Sequence, residues 1–206
     1  MPRTEAAFQE VREASRRKIL DGALRVFAAK GSDATMAEVA GEAGVSQGLA
    51  YRYFPSKDAI LSELVHEITG SGGGAEERLK RLQGTAAERL RLLLTYMLEG
   101  LRQKPEYSQF LNQVLRDGNA PLELREAVAR NGQVIKSTIR KLIVEAQATR
   151  DVPADDPDQL LAALLAYIDG LVSRMTDPRK AEDRKNFPNP KIIIRMFIPD
   201  ADKRTG

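Results

Sequence analysis

The sequence predicts an all-α chain, with a small N-terminal unit of three helices and a larger helical body behind it. Three observations support this. Apolar residues recur at i, i+3 and i+4 along most of the 206 residues, the spacing of one helix face. Glycine, proline and cap-forming Ser or Thr separate the periodic stretches. Hydrophobic residues make up 42% and are spread throughout, enough for a true core and far more than a disordered chain carries.

The first helix is read over 12–29, where Ile19, Leu20, Ala23, Leu24, Val26 and Phe27 share a face and Gly31 stands just past the end. Thr35 precedes Met36, with Glu38 three residues after the threonine; this capping-box pair opens a second helix at 36. It is short, with Val39, Ala40 and Ala43 inward and Gly44 at its end. Ser46 is the next N-cap, so only Gly44-Val45-Ser46 separates it from a third helix over 47–54, stopped by Pro55. Ser56 caps again, and a fourth helix begins at Lys57 with Ile60, Leu61, Leu64, Val65 and Ile68 inward.

The run Gly70-Ser71-Gly72-Gly73-Gly74 reads as a flexible loop; a phosphate cradle would need a preceding strand and a defined spacing. A basic-acidic helix fragment follows over 75–82, then a second capping pair, Thr85 and Glu88, before a leucine-rich helix over 90–101. Pro105 starts the next helix, which carries Tyr107, Phe110, Leu111, Val114 and Leu115 and ends at Asp117-Gly118-Asn119. Pro121 opens a long helix to about 149, with Leu124, Val128, Ile135, Ile139, Leu142 and Ala146 in line. The stretch 158–176 is apolar nearly all round apart from Asp169 and Arg174, so it must be covered on several sides. A charged loop is expected over 177–186. Asn189-Pro190 resembles an N-cap with proline at the first helical position, and 191–198 is read as a short helix. Its Ile-rich run also suits a strand; the helical character of every other element favours helix. No internal repeat is visible.

Composition narrows the function. The formal charge is only +3, so a nucleic-acid surface must come from local placement of Lys and Arg. The absence of Cys removes thiolate catalysis and sulfur-ligated zinc, and fits a reducing cytoplasm. His66 is the sole histidine, which limits His-based catalysis and metal binding; no catalytic residue, metal site or cofactor is expected. The carboxylates alternate with Lys and Arg in the manner of solvated helix faces. No signal segment or membrane-spanning stretch is read, so the expected setting is cytoplasmic with no membrane partner.

Function concentrates in 35–57, TMAEVAGEAGVSQGLAYRYFPSK. Two short helices joined by a three-residue turn opening on Gly make a helix-turn-helix. Ala40, four residues before Gly44, lets the helices approach, and Val39, Ala43, Val45, Ala50 and Tyr53 suit a shared core. The second helix carries Gln47, Gly48, Leu49, Tyr51 and Arg52 outward or to its edge. Gln hydrogen-bonds base edges and Leu touches thymine methyls in a major groove. Ser46, Tyr51, Arg52 and Tyr53 reach phosphates, while Thr35 and Lys57 stand at helix N-termini, which favour an anion. Arg16, Arg17 and Lys18 add positive charge. The expected head is thus 1–58, with a linking helix and loop over 59–74 and a regulatory and dimerisation body over 75–206.

The residues Phe27, Gly31, Thr35, Val39-Ala40, Ala43-Gly44-Val45-Ser46, Gly48, Tyr51-Arg52-Tyr53-Phe54 and Lys57 resemble the pattern of the tetracycline-repressor (TetR) family of bacterial regulators. The order Leu49-Ala50 departs from the family's usual small or polar residue followed by Leu, leaving Leu49 either at DNA or in the core. The resemblance implies all-helical homodimers on palindromic double-stranded operators, usually repressors, whose body takes a small molecule that changes the spacing of the two heads. His66, Tyr96, Met97, Phe110, Ile139 and Tyr167 are candidates to line that ligand site, with ordinary core as the alternative. For a two-fold interface the candidates are Leu161, Leu164, Leu165, Ile168, Leu171 and Val172, with Ile193 and Phe197 supplying the partner face. Two rival functions are a helical enzyme, for which no residue spacing suggests a site, and a helical adaptor with a purely structural helix-turn-helix.

Overall fold

The structure, a computed structural model, describes residues 5–70, 83–177, 182 and 186–199. Among these residues every regular element is helical: α1 (Glu5–Lys30), a 3-10 turn (Gly31–Asp33), α2 (Met36–Glu42), α3 (Gln47–Tyr53), α4 (Lys57–Thr69), α5 (Ala86–Gln103), α6 (Pro105–Arg116), α7 (Leu122–Ala148), α8 (Pro157–Thr176) and α9 (Pro190–Phe197). The chain groups into two compact units. The first holds the described residues of Met1–Ser71 and Gln109–Val128, the second those of Gly72–Ser108 and Ala129–Gly206.

The first unit is built on α1. Ile19, Leu20, Ala23, Leu24 and Phe27 are buried against Val39 and Ala40 of α2, Ala50 of α3, and Ile60, Leu61, Leu64 and Val65 of α4. Each buried Val, Leu, Ile or Phe among them contributes roughly 1.5–3 kcal/mol when fully removed from water. Phe110 and Val114 join this core, and the Phe110 ring stands 6.4 Å from Phe27, tilted by 51°. Phe110 is thus part of the first unit's core, the alternative open to each ligand candidate. α1 begins at Glu5, seven residues before the periodic stretch, and its added turns leave Phe8 and Val11 more than half exposed.

In the second unit Leu90, Leu94 and Leu98 of α5 pack with Ile139, Leu142, Ile143 and Ala146 of α7, Leu164, Leu171 and Val172 of α8, and Ile193 and Ile194 of α9. Ile139 is fully buried in this core. Leu164, Leu171, Val172 and Ile193, candidates for a two-fold interface, are covered by this chain's own helices. Leu161, Leu165, Ile168 and Phe197 are half-buried, and the outer side of α8 carries the small residues Ala162, Ala163, Ala166, Gly170 and Ser173 beside Gln159, Asp169 and Arg174. Arg89 ties α5 to Glu145 of α7 at 2.7 Å, and Arg140 grips Asp158 of α8 at 2.7 and 2.9 Å.

The Ile-rich segment near the end is a helix. Asn189 caps it, accepting from the Lys191 N–H at 2.9 Å, and Pro190 occupies the first turn. Ile193 and Ile194 face the core, and Ile192 and Met196 face out, a split that a helix allows and a run of isoleucines alone does not announce. Gly70 ends α4 with φ +71°. The rest of the expected loop to 74, the fragment 75–82 and most of the loop 177–186 lie outside the described residues.

Candidate nucleic-acid interface

Local chemistry sets the two short helices. Thr35 caps α2: its hydroxyl accepts from the Glu38 N–H at 3.2 Å, and the Glu38 carboxylate accepts from the Thr35 N–H at 2.9 Å. α2 ends in a Schellman motif, with the Val45 N–H donating to the Ala40 carbonyl at 3.0 Å and the Gly44 N–H to Gly41 at 3.1 Å. That geometry requires a left-handed residue, and Gly44 supplies it at φ +65°. Ser46 then starts α3, its hydroxyl accepting from the Leu49 N–H at 3.2 Å. Ala50 is wholly buried and anchors one side of α3 on the core.

α1 braces this pair. A Cβ on Gly22 would stand 2.8 Å from the Ala43 nitrogen, so α1 approaches the α2–α3 turn backbone as closely as only glycine permits. Arg25 pairs with Glu42 and Lys30 with Glu38, each at 2.5 Å. The hydrogen bond from Lys30, with those from the Thr35 N–H and hydroxyl, lowers the Glu38 pKa to about 2. On the α4 side, Arg16 pairs with Glu63 at 2.7 Å and lies 5.2 Å over the Phe54 ring. Arg17 pairs with Glu67 at 2.6 Å and with Asp21 at 3.0 Å, so its guanidinium is engaged in joining α1 to α4.

The opposite side of α3 is open. Gln47, Gly48, Tyr51 and Arg52 are exposed, as are Ser46 and Thr35 at the two caps. Leu49, Tyr53 and Lys57 are half-buried at the edge, which puts Leu49 between its two readings. The Lys57 ammonium donates to the Ser32 carbonyl. A Cβ on Gly48 would meet nothing within 4 Å, so no neighbour in the chain requires glycine at that helical position. Gly22 is a contributor that sequence reasoning misses; its one signal is that it stands as an isolated glycine within a helical pattern.

The ligand candidates fall in both units. His66 is exposed on α4, Tyr96 is 66% exposed on α5, and Met97 packs partly buried beside the second core. Tyr167 lines a half-open cleft of about 450 Å³ with Ala166, Gly170, Arg174, Asn186 and Phe187. Among the described residues no polar or charged side chain is buried, and no group of three His, Asp or Glu could hold a metal. No described helix is long and apolar enough to cross a membrane.

Residues 19–64 match the family model described as bacterial regulatory proteins, tetR family. The chain is 31% identical over 174 residues to the HTH-type transcriptional repressor Rv1474c of Mycobacterium tuberculosis (strain ATCC 25618 / H37Rv), covering 81% of this chain and 87% of that protein. It is 28% identical over 162 residues to the HTH-type transcriptional regulator BetI of Rhizobium meliloti (strain 1021), covering 78% and 77%. Its fold is similar to the crystal structure of the transcriptional regulator FadR from Bacillus subtilis in complex with stearoyl-CoA. The TM-score is 0.58 at 21% identity, over 89% of this chain and 97% of that one.

Proposed function

The chain belongs to the tetR family of bacterial regulatory proteins, DNA-binding transcriptional regulators, and from that we propose a finer reading. It is a cytoplasmic repressor that binds a palindromic operator as a homodimer and leaves it when a small-molecule inducer occupies the body. In this reading 1–58 is the head, 59–74 the link and 75–206 the regulatory body.

One observation carries it: α3 is held on the core through Ala50 and presents Gln47, Gly48, Tyr51 and Arg52 together to solvent. Gln47 reads a base edge, with Leu49 beside it against a thymine methyl. Ser46, Tyr51, Arg52, Tyr53 and Lys57 take phosphates, and Thr35 joins them only by releasing the Glu38 carboxylate that holds both its N–H and its hydroxyl. Glycine at 48, which nothing within the protein requires, fits close approach of a DNA backbone. Arg17 enters this set only by exchanging its carboxylate partners for phosphate.

For the dimer, the exposed small residues of α8 allow a second copy of that helix to approach, flanked by Leu161, Leu165, Ile168 and Phe197. Leu164, Leu171, Val172 and Ile193 support the face from beneath. For the inducer, the stearoyl-CoA held by FadR supports small-molecule control, and the cleft beside Tyr167 is the candidate site in the body.

Selection of bound sequences from random duplex DNA tests the reading. The expected product is an inverted repeat whose half-sites lie ~34–36 Å apart, or a multiple of that. Enrichment of no sequence, or of an unpaired single site, would overturn it.

A further inference from the structure

The turn between α1 and α2 is gripped from two directions. Gly31 has φ +59°, and a Cβ there would come within 2.5 Å of the Gln113 amide nitrogen and 2.7 Å of Asp117 Oδ2. The turn backbone therefore lies directly against the last turn of α6 and the residue after it. The Ser32 N–H donates to Asp117 Oδ2 at 2.6 Å, across eighty-five positions of sequence. The Ser32 carbonyl accepts from the ammonium of Lys57, the first residue of α4. The other Asp117 oxygen accepts from the Asn119 N–H at 2.9 Å, so this carboxylate fixes its own corner as well as Ser32. Partial burial pushes the Asp117 pKa up, but hydrogen bonds from the Ser32 hydroxyl and N–H and from the Asn119 and Ala120 N–H groups outweigh it and hold the group below the usual range.

We propose that Asp117 and Ser32 are positioning residues for DNA binding: Asp117 fixes the Ser32 backbone, and the Ser32 carbonyl fixes the Lys57 ammonium at the N-terminus of α4. This rests on the reading of Lys57 as a phosphate contact. An ammonium has three donors, so one bond to Ser32 leaves two for phosphate oxygens. A lysine already held in place loses less rotamer freedom when the phosphate arrives. The N–H groups of the first turn of α4 point toward the same anion. Operator affinity then depends on a carboxylate that touches no DNA and lies outside the helix-turn-helix.

The test is a double-mutant cycle on a fluorescent duplex recovered by the wild-type protein from a random library, titrated across a salt series. Lys57→Ala is expected to weaken binding and lower the salt slope by about 1. Asp117→Ala is expected to reproduce most of both losses, and to add nothing in the Lys57→Ala background. Asp117→Asn keeps an oxygen for the Ser32 N–H and is expected to restore near wild-type affinity and slope. Additive losses in the double variant would overturn the proposal, because Asp117 would then act on the fold and not through Lys57. Tighter DNA binding by both neutral variants would also overturn it, since the carboxylate would be acting only as a repelling charge. Loss of binding in Asp117→Ala with Lys57→Ala unchanged would show that the phosphate reading of Lys57 had failed, and the positioning route with it. Should circular dichroism show Asp117→Ala unfolded, Asp117→Thr, with a shorter acceptor for the local N–H groups, carries the same cycle.

Discussion

At Gly44 the backbone takes φ +65°, a conformation that costs an L side chain roughly 1–2 kcal/mol. Gly44→Ala is expected to lose about 1–2 kcal/mol in urea unfolding, although a Cβ would meet no neighbour; strain alone accounts for the loss. Gln47 is exposed at the start of α3 and contributes nothing to the core. Gln47→Ala should leave stability unchanged and relax base preference at one operator position by about 1–3 kcal/mol. A gel-shift series with unaltered affinity and preference would remove its role. Glu38 predicts a pH effect: its folded pKa of about 2 lies below the ordinary 4.5. The ionised carboxylate therefore stabilises the head fully above about 4.5, and that stabilisation is lost as pH falls toward 2. Urea midpoints measured through this window should fall, and Glu38→Gln should flatten the fall.

Helices in this chain are distinguished less by how apolar they are than by what covers them. α8 is the clearest case, because neighbouring positions have opposite fates. Leu164 is 1% exposed, and Leu164→Ala is expected to cost about 2–5 kcal/mol of stability by leaving a cavity. Ala166, two residues on, is exposed. Ala166→Glu should leave the protomer folded and shift the sedimentation profile from dimer to monomer, with operator affinity falling in step. An unchanged dimer would place the interface elsewhere. The ion pairs joining α1 to α2 and α4 are partly exposed, and each is worth about 0–1 kcal/mol at most. They orient α1, while the close fit of Gly22 against Ala43 and the buried apolar side chains hold it.

For the whole molecule, control by a small molecule is a coupling of free energies. An inducer releases the operator only if it binds the DNA-incompetent arrangement more tightly. Reciprocity then follows: if the inducer weakens operator binding by a given factor, operator DNA must weaken inducer binding by the same factor. Calorimetric titration with and without the selected duplex is expected to show this equality. A compound that binds with the same affinity in both titrations is no inducer. With a net charge of +3, attraction to DNA is expected to come from locally placed basic side chains, Arg52 and Lys57 in the proposed reading, rather than from the molecule's total charge.

Much of the head is legible in the amino-acid sequence alone, because its signals act over a few residues. Thr35 with Glu38, Gly44, Ser46 and Pro55 set the ends of α2 and α3 through hydrogen bonds and dihedral preferences that neighbours in sequence complete among themselves. The outward set Gln47, Gly48, Tyr51 and Arg52 follows from helical spacing with Ala50 as the inward residue. Three features are not legible there: the fit of Gly22 against Ala43, the bond from Ser32 to Asp117, and the burial of Leu164 beside the exposure of Ala166. Each depends on which distant segment packs against which. Periodicity tells which side of a helix avoids water, and folding alone selects whether another helix of the same chain or a second molecule covers it.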